Sequence, residues 1–388
     1  MSINIDQARQ QFKEHFRFDP EFAVRAPGRV NIIGEHTDYN HGYVMPMALE
    51  RDTVILARRR PDHTLNAFAA TLGRAAQTSL DQRARNPREP WLDYVVGVAD
   101  ELVKLGKPLI GADLMITGDV PIGCGLSSSA SLEMAALAMF EALGAFTLDG
   151  PDAARLGQRV ENQFLGLNSG IMDQFISRMA KSGHALFLDC RTLEYDHVPV
   201  AFPGAAFVIA NTCLARGLTS SKYNERVDEC RQAVAILSKA LQRNATHLRD
   251  FTLSQLAAAH TRMPGNVYRR ARHIISENDR TIRACDAMRR GNAQMLGQLM
   301  NDSDRSLRED YEVTSPELDA MTRAAIAITG CYGARMTGAG FGGCTINLVA
   351  RNAAQEFAQR LMAEYFDQTG YQGAIITSSP AQGASRLF

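Results

Sequence analysis

Lysine is scarce in this chain, with six residues against thirty-six arginines. The skew reads as composition bias, because 42 basic residues are matched by 42 acidic ones and the formal net charge is zero. A dedicated binder of nucleic acid or of an anionic membrane would carry a basic excess, so neither partner is expected. Arg58 to Arg60 and Arg269 to His273 read as solvated faces, with no interleaved aromatic platform. No apolar run reaches the 18 residues or so that a membrane span takes. The first sixteen residues lack the apolar centre of a secretion signal, since Asp6, Arg9, Lys13 and Glu14 interrupt them. Seven cysteines, at 124, 190, 213, 230, 285, 331 and 344, form no C-x-x-C pair. A zinc ribbon and a thioredoxin-type site are thereby set aside, and a reduced, cytoplasmic setting is expected. The Walker A pattern G-x-x-x-x-G-K-[ST] occurs nowhere.

What is present is an average globular composition, 45% hydrophobic and 22% charged. A length of 388 residues predicts two domains at roughly 100–200 residues each. No Pro/Gly/Ser linker separates them, and Pro203-Gly204 is taken as the boundary, giving 1–203 and 204–388. Apolar periodicity predicts helices over 3–16, 91–105, 129–143, 151–165 and 171–181, then 221–242, 253–260, 266–290, 292–300, 315–329 and 353–368. Strands are predicted over 53–57, 110–116, 185–189, 206–210 and 344–349, and Ala23 to Ile33 is mostly apolar with Gly28 inside it. The alternation is irregular, which implies α+β or mixed α/β.

Four segments carry chemistry. Val120 to Ser131 places Gly123, Cys124, Gly125, Leu126, Ser127, Ser128 and Ser129 between a strand and a long helix. Glycines let backbone approach a ligand, and a helix N-terminus offers free N–H groups to a phosphate. The plain alternative is an N-cap after a flexible turn. Arg29 to Asn40 is dense in polar groups: Glu35, His36 and Asp38 suit a polyol, and Arg29 suits a transferring phosphoryl group, unless the cluster is a solvated turn. In Glu161 to Asp173, Asn168 or Ser169 is a candidate helix cap, placing Asp173 in the first turn as either an acceptor of a hydroxyl proton or a routine helix-start acid. Gly338 to Gly343 matches G-x-G-x-x-G, but a strand follows it where a dinucleotide site needs a helix.

Together these segments resemble the GHMP family of small-molecule kinases, in its galactokinase branch, from about residue 20 to 385. Gly28 to Asn40 matches the branch's sugar motif; mevalonate and homoserine kinases lack its Glu-His-Thr-Asp-Tyr piece. Pro121 to Ser131 resembles the family's phosphate loop, and Met336 to Cys344 its C-terminal glycine motif, with Gly170 to Gln174 between them. The resemblance implies an α+β fold of two lobes with the active site in their cleft. It implies phosphoryl transfer from ATP to the anomeric C1 hydroxyl of galactose. Asp173 and Arg29 would be catalytic. Glu35, His36, Thr37, Asp38, Gly170 and Tyr223 would hold the sugar, Gly123 to Ser129 the ATP phosphates, and Ser129 with Glu161 a Mg²⁺ ion. Trp91 would lie near the adenine or in the core.

Lys222, Val227, His41 and the stretch Cys213 to Leu218 depart from the branch's usual pattern. They keep open a relative acting on N-acetylgalactosamine, galacturonate or arabinose. A non-catalytic sugar and ATP sensor is the other alternative, although Ser129-Ala130, Arg29 and Asp173 are all present. A monomer is the expectation for the oligomeric state.

Overall fold

The structure is a computed structural model that describes residues 3–214 and 219–388. Residues 215–218, within the departing stretch Cys213 to Leu218, lie outside the described residues.

Two sheets organise the chain. The larger holds β1 (Phe22–Ile33), β2 (Tyr43–Arg59), β3 (Thr64–Ala69), β4 (Arg74–Ser79), β5 (Ala112–Gly118), β6 (His184–Asp189), β7 (Tyr195–Pro199) and the terminal β12 (Ser385–Arg386). Its main order is β12-β1-β2-β5-β3-β4, with β6 pairing β2 and β7 pairing β6. The smaller sheet holds β8 (Ala205–Asn211), β9 (Cys331–Thr337), β10 (Cys344–Ala350) and β11 (Ala374–Ile376), in the order β11-β8-β10-β9. Among the described residues, β3 with β5 is the parallel pair and the other ladders are antiparallel. Helices packed on largely antiparallel sheets give the α+β, two-lobed architecture.

The helices are α1 (Ile5–Phe16), α2 (Asp93–Lys104), α3 (Ser128–Gly144), α4 (Gly150–Arg159), α5 (Met172–Met179), α6 (Thr219–Ala240), α7 (Leu253–Ala258), α8 (Gly265–Arg289), α9 (Ala293–Ser306), α10 (Pro316–Ala327) and α11 (Ala354–Thr369). Most match the periodicity to within two residues. The helix expected to span 151–165 ends as α at Arg159 and continues as one wide turn over Val160–Leu165. The hairpin β3–β4 is absent from the sequence reading, because β4 is an edge strand of mostly exposed polar and alanine residues. β2 extends well beyond the expected 53–57: Pro46 and the run Glu50-Arg51-Asp52 break its apolar pattern.

One core lies between the larger sheet and helices α2 and α3, through Ile55, Leu114, Val95 and Met139. A second joins the lobes: Val30, Ile32 and Met47 of β1 and β2 pack with Ile209, Ile346 and Leu348 of the smaller sheet and with Met288 of α8. The sugar motif at the end of β1 is therefore anchored from both lobes.

The second basic run is not the solvated face expected of it. Arg270 and His273 are buried on α8, Arg270 against Glu229 and Glu312, and His273 against Ser306. The first run is indeed at the surface, where Arg59 pairs Glu21 and Arg60 pairs Asp62 and Asp113.

Candidate active site

Strand β1 ends at Ile33 and the chain turns at once. Gly34 and His36 adopt positive φ, and Asp38–Asn40 form a single 3-10 turn closed by His41, again at positive φ. Thr37 makes this turn rigid. It was expected at the sugar, but it is fully buried and its hydroxyl is shared between the carbonyl oxygens of Gly34 (2.8 Å) and Tyr43 (2.6 Å), so it holds the loop and is not among the residues lining the cavity between the lobes.

Glu35 faces the other lobe. Its Oε2 accepts from Arg335 Nη2 at 2.6 Å and from Asn31 Nδ2 at 3.0 Å, and its Oε1 accepts the Gly338 N–H at 2.7 Å. Burial still pushes its carboxyl up, against the pull of the Arg335 and Arg29 guanidiniums. Glu277 on α8 supports the same turn from below, accepting the N–H groups of Gly34 (3.0 Å) and Glu35 (3.3 Å). Burial raises the Glu277 carboxyl, but Arg280, His273 and Arg335 outweigh it and hold it at about 2.

A cavity of about 280 Å³ opens between the lobes and is lined by Arg29, Glu35, His36, Asp38, Asp173 and Tyr223 among others. Gly170 lies against Asp38, Ser129 and Glu161 stand at one side, and Gly338 and Ala339 close another. Arg29 and Asp173 meet as a two-pronged ion pair: Nε to Oδ1 at 2.7 Å and Nη2 to Oδ2 at 2.7 Å. Arg29 Nη1 also donates to the Gly125 carbonyl at 2.5 Å, and the Ser127 hydroxyl donates to Asp173. Asp173 does sit in the first turn of α5. Neither Asn168 nor Ser169 caps that helix, however; Ile171 is the capping position and makes no side-chain bond. Burial and the neighbouring Asp173 push the Asp38 carboxyl up to about 7.

The phosphate-loop candidate connects β5 to α3. Gly123, Gly125 and Ser127 all take positive φ, which turns the backbone sharply before the helix. Gly28 of β1 has to be glycine for the loop to seat, because a Cβ there would stand 2.7 Å from the Leu126 carbonyl. Ser127 is at the N-cap position but its side chain caps nothing, so the plain capping alternative fails: its hydroxyl goes to Asp173. Ser128 and Ser129 begin α3 at the rim of a second cavity, of about 490 Å³, whose largely apolar walls include Trp91, Tyr94, Ile116, Ile122 and Leu132. Cys124 and Leu126 turn inward to the core, so any part they take in holding phosphate falls to their backbone. Among the described residues, Ser129 alone lines both cavities. The two sites expected for sugar and nucleotide thus meet at the start of α3.

Ser129 Oγ donates to Glu161 Oε1 at 3.2 Å. Burial, and then Asp173, push the Glu161 carboxyl up; Glu133 behind it is raised further by burial and by Glu161. One oxygen of Glu133 has no hydrogen-bond partner among the described residues. Such a crowd of buried carboxylates beside a hydroxyl suits a hard divalent cation, which needs only one or two protein oxygens when substrate phosphates supply the rest. No cluster of three or more acid, histidine or cysteine ligands occurs among the described residues.

The departures from the usual pattern fall elsewhere. Lys222 is exposed with its ammonium 5.2 Å from the Phe341 ring, and His41 and Val227 line an adjoining, polar cavity that shares Asp38, Asn168 and Ser169 with the cavity between the lobes. The glycine run Gly338 to Gly343 forms the turn between β9 and β10 and opens no helix, as its sequence context implied. Glu277, Arg335, Tyr311 and Glu133 are site residues that motif reading missed. No motif marks them, and all four are buried.

No described helix is long and apolar enough to cross a membrane. Three family models match the chain: a galactokinase galactose-binding signature over residues 10–59, a GHMP kinase N-terminal domain over 93–181 and a GHMP kinase C-terminal domain over 284–368. A galactokinase of Roseiflexus sp. (strain RS-1) is 42% identical over 386 residues, 100% of this chain and 98% of the relative. A galactokinase of Homo sapiens is 41% identical, with 99% and 96% covered. The crystal structure of Lactococcus lactis galactokinase complexed with galactose superposes with a TM-score of 0.95 at 37% identity, covering 99% of this chain and 100% of that one. With likeness running end to end, and with the sugar turn, phosphate loop and glycine turn converging on one cleft, the chain belongs to the galactokinase family of the GHMP kinases.

Proposed function

We propose that the protein transfers the γ-phosphoryl group of ATP to the anomeric C1 hydroxyl of galactose, giving galactose 1-phosphate and ADP. The observation that carries this reading is the Arg29–Asp173 pair, set in the sugar-sized cavity beside the glycine-serine loop. The lobes divide near 203–204, so that residues 1–203 bring the sugar turn and phosphate loop and 204–388 bring the glycine turn, with the terminal strand β12 returning to pair β1 in the first lobe.

Phosphoryl transfer depends on alignment and charge neutralisation more than on covalent chemistry. Glu35, His36, Asp38, Gly170 and Tyr223 hold the sugar, and the apolar cavity around Trp91 and Tyr94 takes the adenine. The backbone from Gly123 to Ser129, with the N-terminus of α3, receives the phosphates. Asp173 accepts, or orients, the proton of the attacking hydroxyl. Arg29 and the Ser127 hydroxyl hold that carboxylate in place, and Arg29 also neutralises charge gathering on the transferred group. Ser129 and Glu161 would hold Mg²⁺, which supplies charge neutralisation to the ATP phosphates when bound.

ADP release is measured with MgATP against galactose, 2-deoxygalactose, galactosamine, N-acetylgalactosamine, galacturonate, arabinose and glucose. Turnover is expected on galactose and lost in Asp173→Ala. Preference for another sugar on the panel would overturn the galactose assignment, and binding of galactose and ATP without ADP release would overturn the kinase reading in favour of a sensor.

A further inference from the structure

His36 lines the sugar cavity with one ring nitrogen engaged and one free. Its Nδ1 lies 2.9 Å from the Tyr39 hydroxyl, while Nε2, although buried, has no hydrogen-bond partner among the described residues. The contact with Tyr39 is the start of a chain. The Tyr39 hydroxyl is 2.7 Å from that of Tyr311, which is 3.3 Å from Cys230 Sγ. Asn40 Nδ2 then donates to that sulfur at 3.7 Å while also donating to the His36 carbonyl at 3.0 Å. Tyr311 and Cys230 are buried and Tyr39 is half-buried at the edge of the polar cavity, and the rings of Tyr39, Tyr223 and Tyr311 pack around the imidazole.

Each link permits two donor directions, but the ends distinguish them. If the hydroxyls point away from His36, the Cys230 sulfur accepts twice and its S–H has no acceptor among the described residues. The neighbouring Ala339 carbonyl also favours a proton on this ring. If the hydroxyls point toward His36, every donor has an acceptor: Asn40 to Cys230, Cys230 to Tyr311, Tyr311 to Tyr39, and Tyr39 to Nδ1. We propose that Cys230, Tyr311 and Tyr39 form a directed relay that fixes His36 as the Nε2–H tautomer, so that the ring presents a hydrogen-bond donor to the sugar. Tyr39 and Tyr311 are then positioning residues that act through His36. Burial, with His273 and Arg226 adding to it, holds His36 well below its usual range, so the ring carries one proton and its tautomer decides what it offers.

The identity of the ligand rests on the galactose-kinase reading; the tautomer does not, and it is measured without sugar. The full-length protein is labelled with ¹⁵N-histidine, and the His36 signals are assigned by their loss in His36→Gln. The expected spectrum shows a neutral ring protonated at Nε2. In Tyr39→Phe the ring loses its fixed tautomer, and the KM for galactose rises about 3–10-fold, the worth of one neutral hydrogen bond, while kcat and the KM for MgATP stay within about twofold. Tyr311→Phe moves both readouts the same way by less, because Tyr39 keeps its own hydroxyl. Thermal melting confirms that each variant folds. A wild-type ring protonated at Nδ1 would overturn the relay whatever the variants do, as would a Tyr39→Phe protein with unchanged tautomer and unchanged galactose KM. Absence of galactose turnover in a wild-type protein with the expected tautomer would count against the functional reading alone.

Discussion

Gly170→Ala is the smallest change that should separate sugar recognition from folding. Gly170 has no positive φ, so alanine can adopt its backbone without strain. What alanine cannot have is the space. Its Cβ would stand 1.9 Å from Asp38 Oδ2, 2.0 Å from Cγ and 2.6 Å from Oδ1, all inside the 3.0 Å that real Cβ contacts essentially never breach. The atoms in the way belong to a side chain, not to backbone, so the lobe can accommodate the methyl by turning the Asp38 carboxylate out of its place. Overpacking of this kind costs about 1–3 kcal/mol, which, set against the sugar, weakens binding roughly 5- to 150-fold. Steady-state kinetics should show the galactose KM raised by that factor with the KM for MgATP little changed, since the apolar cavity proposed for adenine lies on the far side of Ser129. The melting temperature should fall by only a few degrees. A galactose KM within about twofold of wild type would mean that Asp38 does not touch the sugar, and the placement of the ligand in this cavity would have to be abandoned.

Other perturbations test other parts of the site. Arg335→Met leaves Glu35 buried without its counter-charge and strips the Asn31 and Ile32 carbonyls of a donor; urea unfolding should show a loss of about 3–5 kcal/mol, partly recovered on adding Glu35→Gln. A loss below about 1 kcal/mol would show that the inter-lobe pair does not hold the sugar turn. Ser127→Ala removes a donor to Asp173 and should lower kcat roughly tenfold without altering the KM for galactose; the reverse split would place Ser127 on the sugar instead. The Asp38 carboxyl, raised from 3.8 to about 7, binds its proton in the sugar-free folded state across a window where the unfolded chain has released it. Its contribution to stability is therefore present on the acid side and is lost as pH rises through about 7. Glu161 and Glu133 act in the same direction, so the comparison needed is wild type against Asp38→Asn at pH 5.5 and 7.5: the variant should lose less melting temperature between them. An identical loss in both would show Asp38 ionised throughout.

The contiguous parts of the site were legible because their chemistry is local. Glycines at 28, 123 and 125, three serines and the run from Glu35 to Asp38 occupy short segments, and the folded chain uses them within those segments. Helices such as α6, expected over 221–242 and found at Thr219–Ala240, were legible because one face packs on the core with a period that the residues display. Strands at the sheet edge were not: β4 buries little, and no alternation marks it.

The residues that hold the sugar turn in place were hidden for a different reason. Arg270, His273, Glu277, Asn278 and Thr281 recur on α8 at helical spacing, and every one of them is buried. A hydrophobic period treats such a stripe as the wet side of the helix, and zero net charge with no interleaved aromatic platform pointed the same way for the run from Arg269 to His273. A buried polar group is tolerated only when its partners are in place. Here the partners lie far away in the chain: Glu277 receives the N–H groups of Gly34 and Glu35, His273 lies 3.1 Å from the Glu35 carbonyl, and Arg335 reaches back to Glu35 itself. Whether a polar stripe faces water or a second polar surface depends on contacts some 240 to 300 residues apart in sequence, which no local window contains. The same separation gives the arrangement its consequence for function. The turn that presents Glu35, His36 and Asp38 belongs to one lobe but is bonded to α8 and β9 of the other, so the sugar cavity is shaped only when both lobes are docked.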